Sequence, residues 1–151
     1  MKILKKMLVS MFSVLVLLSA QAYGATVNEI KQAIIKQSIE MGVEPAIMLS
    51  LAKTESGFRQ EARGGNAVGV FQLLPATASR MGYNAYNLDE NIKAGIKYYK
   101  NMYNMFGSAE LALAAYNMGP LAVKRANNRV PTSAQRFVSK VISDSKYFKT
   151  N

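Results

Sequence analysis

Between Pro45 and Gly57 the chain reads Ala46, Ile47, Met48, Leu49, Ser50, Leu51, Ala52, apolar on nearly every side of a helix. A helix without a polar face cannot rest on a surface and has to be enclosed by other elements. Pro45 suits a first helical position and Gly57 the residue just past the end. The enclosing elements are predicted to be helices too. Val27 to Met41 places Ile30, Ile34 and Ile35 on one face and stops at Gly42. Short helices follow Pro75, up to about Met81 and Gly82, and Pro120, up to about Asn127. Leu88-Asp89-Glu90-Asn91 opens a longer helix to about Phe106, with its acids at the positive end. Ser108 can cap the next, ending near Asn117 to Gly119, and Pro131 and Ser133 introduce a last one. Only Gly64 to Gly69 reads as turns or a short hairpin. The predicted fold is mainly α, a helical domain with a short loop or hairpin region flanking one cleft. At 151 residues the chain has room for one such core.

The first segment stands apart from that core. Lys2, Lys5 and Lys6 precede an apolar run from Met7 to Leu18, and small residues follow as Ala20-Gln21-Ala22. This is the order of a secretory signal peptide over residues 1–22, cleaved after Ala22 or Gly24, and it leaves residues 25–151 as the domain. The run is short for a bilayer crossing, which takes about 20 apolar residues. No cysteine stands at the cleavage region, so a lipid anchor is not expected. The mature protein is expected to be exported, periplasmic or beyond, and monomeric. Without the three leader lysines the formal charge falls from +10 to about +7, which favours anionic partners. Export argues against nucleic acid as that partner.

The chain has neither cysteine nor histidine. Thiol nucleophiles, thiolate metal sites and histidine-based triads are excluded, and no metal or cofactor is expected. Acid–base chemistry falls to carboxylates, lysine or tyrosine, and there are nine Asp and Glu in all. Glu55 differs from the rest. It ends the apolar helix, where desolvation and the negative end of the helix dipole both disfavour its charged form. A raised carboxyl pKa is what a general acid working near neutrality needs. Lys53 is close in sequence, but its spacing puts it on another face.

Four ordered motifs surround this residue: Glu55-Ser56-Gly57-Phe58, then Gly69-Val70-Phe71-Gln72-Leu73-Leu74-Pro75-Ala76-Thr77-Ala78, then Asn91-Ile92-Lys93-Ala94-Gly95, then Ala115-Tyr116-Asn117-Met118-Gly119. In content, order and spacing they resemble the lytic transglycosylase domain of the soluble-transglycosylase type, related in fold to goose-type lysozyme. The resemblance runs from about Ile34 to Tyr147. It implies a lysozyme-like fold, with Glu55 as the catalytic glutamate and Gln72 lining the sugar cleft. It makes Tyr116 the tyrosine whose hydroxyl holds the glutamate, with Asn117 beside it. Phe71 stands where the family has a methionine, and it counts among the substrate-binding residues. The family often carries a serine some nine positions after the glutamate. Here the region reads Ala62-Arg63-Gly64-Gly65-Asn66, so either Asn66 takes over that contact or it is missing. Tyr98, Tyr99 and Tyr103 fall at helical spacing, and Tyr98 is the one expected in the cleft. Ser56 is expected to fix the end of its helix, and Gly69, Pro75, Asn91, Gly95 and Gly119 to serve turns, caps and close packing.

The implied substrate is peptidoglycan, and the implied reaction is non-hydrolytic cleavage of the MurNAc–GlcNAc β-1,4 bond with formation of 1,6-anhydromuramyl ends. Ordinary glycosidases need two carboxyl groups. Apart from Glu55, only Glu61 in the following loop is placed by sequence to approach the same cleft. Two alternatives therefore stand: a hydrolytic muramidase in which Glu61 activates water, and a non-catalytic wall-binding assembly factor. Small exported domains of this kind also resemble accessory enzymes of envelope-spanning secretion, conjugation or pilus systems, whose components would then be partners.

Overall fold

The computed structural model describes residues 24–150; the predicted leader of residues 1–22 lies outside them. Seven α-helices and one two-stranded hairpin are present among the described residues. Helix α1 (Val27–Glu40) starts at a reciprocal cap. The Glu29 amide donates to Thr26 Oγ1 at 3.2 Å, and the Thr26 amide donates back to Glu29 Oε2 at 2.7 Å. Helix α2 (Pro45–Ser56) has Pro45 at its first turn and ends at Gly57, whose φ of 62° only glycine adopts freely. Every residue from Ala46 to Ala52 is buried, as a helix apolar all round requires.

Strands β1 (Arg63–Gly64) and β2 (Ala67–Val68) pair antiparallel, Arg63 opposite Val68 and Gly64 opposite Ala67. Helix α3 (Pro75–Arg80) follows, then α4 (Leu88–Phe106), whose first turn is capped by Asn87 accepting from the Glu90 amide. Helix α5 (Ala109–Met118) is capped by Ser108, and α6 (Pro120–Arg125) begins directly after Gly119. The last helix, α7 (Gln135–Thr150), starts slightly later than the sequence suggests. Thr132–Ala134 forms a 3-10 turn first, a common way to enter a helix.

Helix α2 packs most extensively against α7 and next against α1, while α4 packs on α5 and α1, and α5 on α7. The Ser50 hydroxyl, inside this core, donates to the Val141 carbonyl of α7 at 2.7 Å, so the one polar group on the apolar stretch is satisfied. Ile34, Met48, Leu51, Phe71, Ile96, Leu113 and Val141 form the fully buried centre. The irregular segment from Gly57 to Leu74 lies over the C-terminal end of α2. It is this arrangement that gives Glu55 its surroundings.

Candidate active site

Glu55 occupies the last turn of α2. Burial pushes its carboxyl up from 4.5 to about 7, so at neutral pH a large fraction carries a proton. Lys53 does not offset this. Its ammonium turns to Asp144 on α7 at 3.3 Å and lies over the Phe148 ring. Ser56 ties the helix end to the loop as expected: its hydroxyl donates to the Val70 carbonyl at 2.7 Å and accepts from the Arg59 amide at 3.1 Å.

The loop that follows is irregular, so its backbone groups need partners from elsewhere. Three side-chain amides supply them. Asn91, fully buried on α4, accepts from the Phe71 amide at 2.9 Å and donates to the carbonyls of Val68 at 3.0 Å and Ala85 at 2.8 Å. Gln60 accepts from the Val70 amide and donates to the carbonyls of Ala85 and Tyr86. Gln72, itself in the left-handed region at φ 45°, donates to the carbonyls of Gly69 at 2.8 Å and Ala62 at 3.1 Å. No feature of the sequence marks Gln60 for this task; only the folded loop reveals it. Gly69 is needed for contact, since a Cβ there would fall 2.6 Å from Asn91 Cγ.

A cavity of about 390 Å³ opens beside this loop. Gln72, Leu74, Thr77, Tyr98, Tyr116, Asn117 and Met118 contribute to its wall. Sequence-predicted residues from three separate motifs thus meet in one place. The Tyr98 and Tyr116 rings stand 5.1 Å apart, tilted by 58°. Glu55 is not itself part of this wall; it bears on the cavity through its charge, which acts on Tyr116. Tyr116 is buried, and desolvation first and the Glu55 charge second raise its phenol well above the usual range.

Four expectations need correction. Phe71 does not reach the cavity: its ring is fully buried over Gly95, where a Cβ would lie 2.6 Å from Phe71 Cβ. Its backbone matters instead. The Tyr116 hydroxyl donates its single proton to the Phe71 carbonyl at 2.8 Å, and so does not donate to Glu55. Asn66 sits exposed at the turn of the hairpin, outside the cavity wall, so it does not replace the family serine there. Glu61 is exposed and lines a different cavity, with Phe58, Arg59 and Val27. Of the three tyrosines on α4, Tyr98 faces the cleft, whereas Tyr99 and Tyr103 line a separate hollow with Val43 and Ile47. Another hollow, about 510 Å³ between α3 and the start of α4, contains none of the expected site residues.

Among the described residues no group of three or more His, Cys, Asp or Glu is placed to hold a metal ion. None of the described helices is long and apolar enough to cross a membrane.

The profile of the transglycosylase SLT domain matches residues 32–138. A protein described as a transglycosylase from Enterobacteria phage PRD1 is 33% identical over 84 residues, which are 54% of this chain and 32% of that one. Two solved structures share the fold. The 70 kDa soluble lytic transglycosylase of Escherichia coli matches 79% of this chain and 24% of its own, with a TM-score of 0.71 and 22% identity. An inactive glutamate-to-glutamine mutant of the lytic transglycosylase Slt from Pseudomonas aeruginosa matches 76% of this chain and 23% of its own, with a TM-score of 0.66 and 23% identity. The mainly helical, lysozyme-like architecture expected from the sequence is thus the observed one. The chain spans about a third or less of the length of each of these relatives.

Proposed function

Because the chain belongs to the transglycosylase SLT domain family, we propose that it is a peptidoglycan lytic transglycosylase in which Glu55 performs both proton transfers. The observation that carries this reading is a half-buried carboxyl raised to about 7 whose charge acts on Tyr116, which with Tyr98 lines the cavity. Protonated Glu55 donates to the oxygen bridging N-acetylmuramic acid and N-acetylglucosamine, and that bond breaks. An oxocarbenium-like centre develops at the muramyl anomeric carbon, where the sugar's own N-acetyl oxygen can support it. The ionised carboxylate then takes the proton of the same sugar's C6 hydroxyl as that oxygen closes on the anomeric carbon. Glu55 ends protonated again, no water is consumed, and the product is a 1,6-anhydromuramyl end. The nucleophile is internal, so it acts at high effective molarity, and one carboxylate suffices.

Gln72, Tyr98 and Asn117 are the side chains we assign to sugar contact. Tyr116 acts chiefly as a wall: its ring covers the site, and its hydroxyl anchors the loop through Phe71. Digestion of purified sacculi followed by mass spectrometry of the muropeptides tests the reaction. Anhydro ends are expected, and reducing ends carrying an added water would establish hydrolysis instead. The separate placement of Glu61 disfavours that hydrolytic alternative. Glu55→Gln is expected to abolish wall lysis. Undiminished lysis in that variant would end the assignment to Glu55, whereas an absence of lysis by the wild type would leave the reading of a wall-binding factor.

The predicted leader supports export to the periplasm. There a small transglycosylase would serve an envelope-spanning secretion, conjugation or pilus apparatus by opening a local gap in the wall. Deletion is then expected to impair assembly of one such apparatus; normal assembly of all of them would refute this role.

A further inference from the structure

From Leu111 through Ser143 the chain carries no acidic residue, while Lys124, Arg125, Arg129, Arg136 and Lys140 all fall in that interval. The fold brings this stretch to one end of the candidate cleft. Met118 and Gly119 belong to the cavity wall, and α6 leaves directly from them. On α6, Leu121, Lys124 and Arg125 share the face opposite buried Val123. All three are exposed. On the other side of Met118 the Ser133 hydroxyl touches its sulfur at 3.1 Å, and exposed Arg136 follows one turn later. A further cation belongs to the opposite wall. Arg80 donates to Thr77 Oγ1 at 3.3 Å, and its charge acts on Tyr98; Thr77 and Tyr98 both line the cavity.

Lys140 pairs with Asp144 at 2.8 Å, but the other cations have no counter-ion among the described residues. Lys124, Arg125, Arg129, Arg136 and Arg80 enter none of the ion pairs among the described residues. None of the cavity-wall residues is acidic. Nor do they serve Glu55, whose displacement comes from burial. Adjacent like charges left unpaired are mildly unfavourable in the free protein, and an anion arriving from solution relieves that repulsion.

We propose that this cationic rim receives the carboxylates of the acidic peptide stems borne by the muramyl sugars, and so makes the protein selective for stem-bearing over stem-free glycan. The inference rests on the reading of the cavity as a glycan cleft. A stem leaves its sugar through a lactyl side arm, so a muramyl unit in the cavity directs a flexible, multiply anionic chain outward across the rim. Exposed charge pairs are individually weak and screened by salt; several acting together give selectivity in binding without entering the chemistry.

The test is a triple variant, Lys124→Gln with Arg125→Gln and Arg136→Gln, assayed on intact glycan strands and on the same strands stripped of stems by an amidase. On intact strands its KM is expected to rise about five- to tenfold with kcat within about twofold, the difference shrinking in high salt. On stripped strands it is expected to match the wild type. A control variant, Lys31→Gln with Lys36→Gln and Lys93→Gln, should keep the wild-type preference. Equal losses on both substrates, no loss on either, or the same loss in the control would overturn the proposal. A binding arm separates it from the catalytic reading: Glu55→Gln, with and without the triple change, is titrated with a labelled stem-bearing strand. If the wild type cleaves neither substrate, the transglycosylase reading fails, and the labelled strand still decides whether the rim binds stems.

Discussion

Glu55 is more at ease with its proton than without it, because burial withholds the water that would solvate a carboxylate. Two outcomes follow at this residue. As the proposed proton donor of the first step it must be neutral, so kcat/KM is expected to fall about tenfold per pH unit above about 7; a pH–rate profile on soluble glycan strands checks this. Stability follows the same titration with a definite sign. Between pH 4.5 and about 7 the native state holds this proton more firmly than the unfolded chain does, so the site loses stability as pH rises through that window. Replacing Glu55 with glutamine removes the loss. The variant is expected to match the wild type near pH 4 and to exceed it by about 3 kcal/mol at pH 8, as read from urea denaturation at the two pH values. Position at the end of an apolar helix was enough to single this residue out, because its environment is set by neighbours adjacent in sequence. Phe71 and Tyr116 were assigned less well. An aromatic next to Gln72 gives no local sign of which way it points, and its actual partner, Gly95, is contributed by helix α4, distant in sequence.

The helices were legible because their limits are written in local chemistry. Pro45, Pro75 and Pro120 each occupy a first turn, Gly57 and Gly107 end helices with positive φ, and Asn87 and Ser108 cap through their side chains. The loop between α2 and α3 was legible only as a loop with turns or a short hairpin at Gly64 to Gly69, where the strands pair. Its course depends on Gln60, Gln72 and Asn91, and no periodicity records those bonds. Helix α4 is the element that holds this loop in register, and it does so through the bare Cα of Gly95. In an exposed helix interior, alanine in place of glycine gains about 1 kcal/mol. Here the new methyl meets Phe71, which is fully enclosed and cannot withdraw. Gly95→Ala is therefore expected to reverse the usual sign and cost about 1–3 kcal/mol, measured by chemical denaturation. The proposed transglycosylase activity should fall more steeply than stability, since the Phe71 carbonyl that anchors Tyr116 moves with the ring.

At the scale of the whole molecule, one buried helix is enclosed by others, and the proposed catalytic group lies where that helix leaves the core. The cavity then draws its wall from residues on four segments that meet only in the folded chain: the loop before α3, α3 itself, α4 and the end of α5. Its chemistry was foreseeable from ordered motifs, but its shape was not, and the cations at its rim became meaningful only when Ser133 was seen against Met118. The amide braces of the loop carry one more consequence, for hydrogen exchange. Irregular backbone ordinarily trades its hydrogens with solvent quickly through small local fluctuations. The amides of Val70 and Phe71 are instead sealed in the core, bonded to Gln60 and Asn91. Their deuterium uptake should be as slow as that of the α2 amides, and Asn91→Ala should accelerate it at Phe71 by about ten- to a hundredfold. The least regular backbone in the protein is then among the last to admit deuterium.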